Sequence, residues 1–270
     1  MLRKMFAFIL FVTGIILIFS PFIQDQIAIL LLNRHLEAIV PEEFEQNIEA
    51  EVEFDFSIVE SIELTDILSA WDVDLPIIGE IFIPNVDLHL PIIKGVSNEA
   101  LSVGAGTMRP DQIMGEGNYP LASHRMNNQN LLFTPLERVE VEDDIYLKDA
   151  SYIYIYTVSH LEIIEPVRVE VIEDQEENIL TLITCTEDGS QRLMVRGELT
   201  EIVEIDDLEE IEELAIINAN RGIDSVVNRV MNRNRMQLIG LAGTILLLMI
   251  CVLIIKSKRN KSRNEDLKNK

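Results

Sequence analysis

The chain has 270 residues, of which 48% are hydrophobic, and its formal net charge at pH 7 is −24. This length allows one sizeable domain with additional segments. The acidic balance argues against nucleic acid or an anionic lipid surface as a partner, because both would repel the chain.

The first predicted element is a membrane-spanning helix. Residues 5–23 form a run of nineteen residues without a charge, preceded by Arg3 and Lys4. Nineteen apolar residues in a helix cross about 30 Å of hydrocarbon. A cleaved signal peptide is the competing interpretation, but the apolar core is long and no small-x-small cleavage site follows before Asp25. A retained anchor at 5–23 is therefore the prediction, with a cytoplasmic N-terminus at 1–4.

The next segment, residues 24–74, mixes acidic residues with scattered apolar ones. This pattern predicts an acidic, amphipathic helical stalk or spacer. From about Leu75 the pattern changes to short runs rich in Ile, Val, Tyr and Leu, separated by Pro, Gly, Asn and Asp. Such runs are typical of strands.

Eight strand-like runs fall between residues 75 and 200, which predicts an all-β domain, closed or nearly closed as a barrel. Tyr152, Tyr154 and Tyr156 alternate with residues that would face the other side of their strand. Two stretches, SNEALSVG and LLFTPLERV, predict short helical turns on the barrel surface. The eight runs are IIGEIFIP, VDLHLPII, YPLASH, DDIYLKD, YIYIYTV, HLEIIEP, ILTLITC and QRLMVRGEL.

Beyond the barrel, residues 201–236 predict an acidic amphipathic connector, because Ile202, Ile205 and Leu208 begin a three-residue apolar spacing. Residues 237–255 form a second uncharged apolar run, long enough for another membrane helix. The last segment, residues 256–270, is basic.

Charge predicts the orientation in the membrane. The tail has seven Lys or Arg against two Asp or Glu, a net of +5, and Arg3 and Lys4 add +2, which leaves −31 for the middle of the chain. Positive segments stay in the cytoplasm. Both termini are therefore expected inside and the acidic domain outside, in a multi-pass protein of the cell membrane.

The topology makes Cys185 the one cysteine of the predicted outer domain, because Cys251 falls in the second span. Secreted domains usually use cysteines in disulfide pairs. A single cysteine is compatible with an intermolecular disulfide, an inert buried thiol or a reactive thiol.

A reactive thiol needs a partner group that stabilises or generates the thiolate. The chain has four histidines, and His124 differs from His35, His89 and His160 in its setting. It ends a strand-like run behind the small residues Ala122 and Ser123, which leave room for a ligand. The spacing of His124 and Cys185 in the sequence is, on its own, weak evidence that the two residues act together.

In their sequence contexts these residues resemble the sortases, the cysteine transpeptidases of Gram-positive bacteria. TLITC is similar to the Thr-Leu-x-Thr-Cys signature of the family, NYPLASHRM to its histidine segment and QRLMVRGEL to its arginine strand. The resemblance covers residues 75–200. It implies an eight-stranded sortase-type β-barrel with short helices, here flanked by two transmembrane helices.

The resemblance implies a role for each matched residue. Cys185 would be the nucleophile, His124 the general acid and Arg192 the positive group of the active site. Period two places Arg196 on the same strand face as Arg192, so Arg196 stays open as a rival. The positions that line the groove for the sorting peptide in the family match Ala122, Thr181 and Ile183.

Physical reasoning agrees with these roles. The stretch TEDGSQ between the two strands contains Asp-Gly, which suits a tight turn and would bring Arg192 near Cys185. Arginine is always charged and can donate two hydrogen bonds to an oxyanion. The implied reaction is cleavage of a Leu-Pro-x-Thr-Gly signal between Thr and Gly, followed by transfer to an amine of lipid II, which anchors surface proteins to peptidoglycan.

Two features leave alternatives open. The segment IFIPNVDLHLPIIKGVSNEALSVGAGTMRPDQIMGEGNYPLASH is similar to the housekeeping class A branch, whereas two membrane spans are typical of class C pilin polymerases, which join pilins through a lysine. The Asp-Pro-aromatic lid of class C is not found, since no proline follows Trp71-Asp72 in the right order. A Cys/His amidase would usually place its cysteine before its histidine. A non-enzymatic, membrane-tethered binding domain with an inert Cys185 is the remaining alternative.

No metal or cofactor is predicted as a requirement. Some class A sortases bind calcium near the loop before the cysteine strand, where this chain has four carboxylates that could supply oxygen ligands. In so acidic a chain, a solvated loop is the default expectation. The four residues are Glu173, Asp174, Glu176 and Glu177.

Overall fold

The computed structural model of the chain describes residues 2–54, 64–71 and 73–205. Within these residues, eight strands close into a barrel in the spatial order β1-β2-β3-β4-β7-β8-β6-β5. The strands are β1 Ile77–Ile83, β2 Leu88–Ile93, β3 Ala105–Thr107, β4 Asn118–Ala122, β5 Asp144–Lys148, β6 Tyr152–Ile164, β7 Ile179–Cys185 and β8 Arg192–Glu204.

One long helix precedes the barrel, and short helices accompany the strands as the sequence predicts. The described α-helices are α1 Leu2–Glu37, α2 Phe44–Ile48, α3 Leu64–Ser69 and α4 Asn98–Val103, and 3-10 turns occupy Pro41–Glu43, Pro84–Val86, Thr134–Arg138 and Val169–Ile172. The SNEALSVG stretch forms α4, whose N-cap Ser97 accepts a hydrogen bond from the Ala100 backbone N–H. The eight-stranded barrel with short helices is confirmed.

The eight strands do not correspond one to one with the eight predicted runs. The predicted runs YIYIYTV and HLEIIEP are a single strand, β6, which continues through a register shift between Val158 and His160. The remaining strand is β3, only three residues long and without the β-branched run that predicts a strand. Residues 201–204 were predicted as the start of a helix. They extend β8 instead, because they pair with the first four residues of β6.

Leucine, isoleucine and valine side chains fill the inside of the barrel. Leu121, Leu182 and Val195 come from three neighbouring strands and are fully buried. Strand side chains alternate between the two faces, so Thr181, Ile183 and Cys185 of β7 face the outside of the wall. This outer face carries a second apolar cluster, separate from the core.

The direction of two strands positions the site. β4 and β7 are parallel neighbours, with Pro120 opposite Thr181 and Ala122 opposite Ile183. Because parallel strands end at the same edge, the residues that follow Ala122 lie beside the end of β7 at Cys185.

The segment after α1 lies against the barrel. Phe44 of α2 is buried, and the Asn47 side chain donates to the Ile77 carbonyl at 2.8 Å. Lys94 donates to the Ala50 carbonyl at 2.7 Å, and the Val96 N–H donates to the Glu53 carbonyl at 3.2 Å. Residues 44–53, expected within a helical stalk, therefore pack on β1 and on the loop after β2, since they supply both apolar and hydrogen-bonding groups.

The predicted membrane spans have different positions relative to the described residues. Residues 5–23 lie in α1, although most of their side chains are outside the described part, and residues 237–255 lie wholly outside it, as do most of the connector and the tail. In the helices that the structure describes, no segment long and apolar enough to cross a membrane is found.

Candidate active site

Cys185 and Arg192 face each other across two antiparallel strands. Cys185 is the last residue of β7 and Arg192 the first of β8, and the register pairs them directly. Side chains of directly opposed residues have Cβ atoms about 4.5–5.5 Å apart. Cys185 is a free, partly exposed cysteine, so its side chain is not buried in the core.

A tight turn, residues 186–191, joins the two strands. Thr186 and Gln191 close it with a backbone hydrogen bond of 3.0 Å, and Gly189 has φ +72°, a conformation that glycine adopts easily. Asp188 accepts hydrogen bonds from the Ser190 hydroxyl at 2.7 Å and the Thr186 hydroxyl at 2.8 Å. These bonds lower the pKa of Asp188 to about 2, so the turn keeps its carboxylate ionised at neutral pH.

The Arg192 guanidinium is tied to the same turn. Its Nη1 donates to the carbonyls of Gly189 at 3.1 Å and Gln191 at 3.0 Å. Both bonds use one nitrogen of a group that has five N–H donors in a fixed plane. The turn thus orients the guanidinium and leaves donors for an anionic oxygen near the thiol.

His124 lies at the edge of the barrel where Cys185 ends its strand. It follows β4 by two residues and is 7% exposed. The preceding residue, Ser123, donates its N–H to the Ile183 carbonyl at 3.3 Å and accepts from the Thr184 hydroxyl at 2.9 Å. These two bonds fix the histidine segment to the last residues of β7, which brings His124 beside Cys185.

An apolar cluster lies next to the thiol on the outer face of the barrel, where the sequence predicts the groove for the peptide. Ala122, Ile183 and Met194 form one row across β4, β7 and β8. They belong to the second apolar cluster, whose other members come from the loop after β2, α4, the loop after β3, the end of β6 and the 3-10 turn Val169–Ile172. Those members are Val96, Leu101, Met108, Ile164, Val171 and Ile172.

The three predicted groove residues have different surroundings. Ala122 and Ile183 lie in the apolar cluster. Thr181 has no exposed surface, and its hydroxyl donates to the Asn118 side chain at 2.8 Å. Thr181 therefore lies on the same outer face as Ile183, but it is covered and its hydroxyl is paired with Asn118.

Asn118 is a buried residue of the site that sequence reasoning missed. Its side-chain nitrogen donates to the Val171 carbonyl at 2.9 Å and to the Glu173 carbonyl at 2.8 Å. These bonds attach the loop between β6 and β7, which forms one groove wall, to the start of β4. A polar residue at the start of the strand-like run NYPLAS was the one signal for it in the sequence.

Arg109 is the second missed residue and fastens the same loop from outside. Its guanidinium contacts Asp111 at 3.0 Å and Asp174 at 3.4 Å, and donates to the Ile172 carbonyl at 3.4 Å. The Asn118 N–H and then the Arg109 cation are among the groups that hold the pKa of Asp174 below its usual value.

Arg109 also lies close to two of the carboxylates that the sequence offers as possible calcium ligands. Glu173 and Asp174, two of the four candidate carboxylates, line a surface pocket with Asp111, and the Arg109 cation lies among them. No group of three or more His, Cys, Asp or Glu placed to hold a metal ion is found in the described part of the chain.

The strand register separates the two candidate arginines. Arg192 is opposite Cys185, whereas Arg196 is opposite Thr181 in β7 and His160 in β6. Four residues of strand are about 13 Å long, so Arg196 lies well along the groove from the thiol.

Comparison with known proteins agrees with this arrangement. The family described as Sortase domain matches residues 81–200. Sortase A of Listeria monocytogenes is 37% identical over 205 residues, which cover 74% of this chain and 92% of the relative. Sortase A of Streptococcus agalactiae is 38% identical, covering 73% and 84%, and Sortase A of Bacillus anthracis is 35% identical, covering 72% and 92%.

Similarity at this level extends across 84% to 92% of the length of these relatives, and the family match includes Cys185, His124 and Arg192. The chain belongs to the sortase family and is a cysteine transpeptidase.

Proposed function

We propose that this transpeptidase cleaves a Leu-Pro-x-Thr-Gly sorting signal between Thr and Gly and joins the Thr to a new amine. The observation that carries the proposal is the direct pairing of Cys185 with Arg192, with His124 at the same barrel edge and the apolar cluster of the predicted groove beside them. A groove of Ala122, Ile183 and Met194 suits a peptide segment with leucine and proline side chains.

Acylation begins with attack by the Cys185 sulfur on the carbonyl carbon of the Thr–Gly bond. The carbonyl oxygen becomes an oxyanion, and the Arg192 guanidinium stabilises that charge. His124 then gives a proton to the departing glycine amine as the C–N bond breaks. The products are a thioester on Cys185 and a free glycine-bearing peptide.

Deacylation reverses these roles with a second amine. The incoming amine attacks the thioester carbon, loses its proton to His124, and forms a new amide as the Cys185 thiolate departs. No oxidant or metal takes part in this exchange. We propose the amine of lipid II as the acceptor, with the lysine of a pilin as the alternative acceptor.

We also propose that the chain is held in the cell membrane by residues 5–23 and 237–255. Both runs have nineteen residues without a charge. Arg3 and Lys4 precede the first run, and the basic segment 256–270 follows the second. The barrel would then stand on the outer face of the membrane, where lipid II and secreted surface proteins meet.

The test uses the full chain purified in detergent and a Leu-Pro-x-Thr-Gly peptide, with products followed by mass spectrometry. Triglycine, a lysine-bearing pilin peptide, or neither is added, and Cys185→Ala is the control. The proposal predicts a Thr-to-glycine product that forms with triglycine and is lost, by at least about 1,000-fold, in Cys185→Ala. Product with the lysine peptide alone would identify a pilin polymerase, and no product with any acceptor would contradict the proposed substrate.

A further inference from the structure

Arg196 lies on the outer face of the barrel that carries the apolar cluster, and it has no role in the proposed reaction. It is half-buried and lies in a row with Pro120 of β4, Thr181 of β7 and His160 of β6. This row is next to the row of Ala122, Ile183 and Met194, on the side away from Cys185.

The Arg196 guanidinium lacks an internal acceptor. Its Nε is buried and has no hydrogen-bond partner among the residues that the structure describes. Other arginines of the barrel are all paired: Arg109, Arg125 and Arg168 with carboxylates, and Arg138 and Arg192 with backbone carbonyls.

An unpaired, half-buried cation is costly, because burial removes water from its N–H groups without replacing those hydrogen bonds. A ligand carboxylate would bond Nη1 and Nη2, which have no partner among the described residues and are not buried, and it would neutralise the charge. The nearest carboxylates do not supply one in the described part of the chain. Glu162 of β6 pairs with Arg168 at 2.9 Å and lies 3.6 Å from His160. Glu198, two residues further along β8, forms no ion pair with Arg196.

Distance along the groove selects the part of the substrate that reaches Arg196. Arg192 faces Cys185, and Arg196 is four residues further along β8, about 13 Å away. An extended peptide whose threonine carbonyl is at Cys185 covers that length in four residues. The fourth residue before threonine is the one that precedes leucine in the sorting signal.

We propose that Arg196 is a specificity-determining residue that binds an acidic side chain immediately before the leucine of the sorting signal. This inference rests on the proposed function for the identity of the peptide, but not on any step of the chemistry. It extends the recognised segment of the substrate by one residue, and it assigns that residue a carboxylate.

The test measures binding and cleavage separately. Three peptides carry Glu, Gln or Lys before Leu-Pro-x-Thr-Gly, and their dissociation constants are measured by fluorescence anisotropy on the full-length Cys185→Ala chain in detergent. The same peptides are offered to the full chain with Cys185 intact. Arg196→Gln, Arg196→Lys and Arg196→Glu are introduced into the Cys185→Ala background, and Lys148→Gln, which removes one positive charge on β5, is the matched control.

The Glu peptide should bind about tenfold more tightly than the Gln peptide, and the Lys peptide most weakly, because a charged hydrogen bond is gained or a repulsion added. Arg196→Gln should abolish the preference, Arg196→Lys should keep part of it and Arg196→Glu should favour Lys. Lys148→Gln should retain the full preference.

Two results would overturn the inference: equal binding of the three peptides, or a preference that survives in Arg196→Gln. The first result needs no Arg196 variant, since the three peptides are compared on a chain in which Arg196 is intact. Failure of the proposed function is distinct, because it would show as no cleavage of any peptide by the chain with Cys185 intact, whatever the binding preference.

Discussion

At the scale of single residues, the site depends on a register that pairs Cys185 with Arg192 and not with Arg196. Both arginines lie on one face of β8, so alternation alone could not separate them. The length of the turn distinguishes the two arginines. Its six residues, held by hydrogen bonds to Asp188, set where β8 begins to pair with β7. An arginine at this place can meet the oxyanion, whereas one about 13 Å away cannot.

The first prediction concerns Arg192. Arg192→Ala should lower kcat by about 100-fold to 1,000-fold and change KM for the sorting peptide little, because the lost bond forms mainly in the transition state. Steady-state kinetics on the full chain provides the measurement, and Lys148→Ala is the control for removal of a positive charge. An equal loss in both variants, or a loss confined to KM, would speak against the oxyanion role.

At the scale of elements, the loop between β6 and β7 is the part of the site that the structure adds. It supplies Val171 and Ile172 to the groove and is fastened by Asn118 from within and Arg109 from outside. Asn118 is fully buried, while the Asp174 side chain is 65% exposed. Because Arg109 fastens this loop, we expect it to act as a positioning residue for the groove wall, with no part in the chemistry.

The second prediction follows from that contact. Arg109→Gln should raise KM for the sorting peptide about threefold to tenfold and leave kcat within about twofold, because a loosened wall binds the peptide less well in the ground and transition states alike. A Lys148→Gln chain should match the unaltered protein. A large fall in kcat at unchanged KM would contradict a positioning role.

The third prediction gives the pH dependence of the same loop. The pKa of Asp174 is below its usual value of 3.8, first because of the hydrogen bond from the Asn118 N–H. A lowered folded-state pKa gives a stabilisation that is complete above 3.8 and is lost as the pH falls through the lowered value. Hydrogen-exchange protection of residues 169–178 should fall in that window, and in Asp174→Asn it should be low and flat with pH.

An invariant protection of residues 169–178 across that window would show that the Asp174 carboxylate does not hold the loop. The Asn118 bonds to Val171 and Glu173 would then account for its order alone.

Much of the barrel could be predicted from periodicity, and the exceptions have physical causes. β7 coincides with its predicted run, whereas β8 continues to Glu204, five residues past its predicted run and into the predicted helix. β3 is too short for any period, and the two halves of β6 differ in face because of a register shift at Val158–His160. The Asn118 and Arg109 contacts join residues more than 50 positions apart. Pairing of the parallel strands β4 and β7, which creates both contacts and the proximity of His124, leaves no signal in local sequence.

At the scale of the whole molecule, the chain combines a transpeptidase barrel with a formal net charge of −24 at pH 7 and positively charged ends. This distribution supports the proposed outer position of the barrel. It also suits an amine acceptor, because an acidic protein attracts cationic groups at low ionic strength.

The fourth prediction tests that topology. In spheroplasts that produce the full chain with an epitope after Lys270, added protease should digest the barrel and leave a small, membrane-protected fragment that carries the epitope. Lysis with detergent should remove the protection. A barrel that survives external protease, or an epitope that is lost without lysis, would contradict two spans with both ends inside.

The most direct test of the central claim is the mass of the full chain after brief reaction with a Leu-Pro-x-Thr-Gly peptide and an acid quench. We predict an added mass equal to the peptide up to threonine, with one water lost. Peptide mapping should locate it on Cys185, and triglycine should remove it. Cleavage without any adduct on Cys185, or an adduct that persists in Cys185→Ala, would contradict a thioester at Cys185 as the intermediate of this transpeptidase.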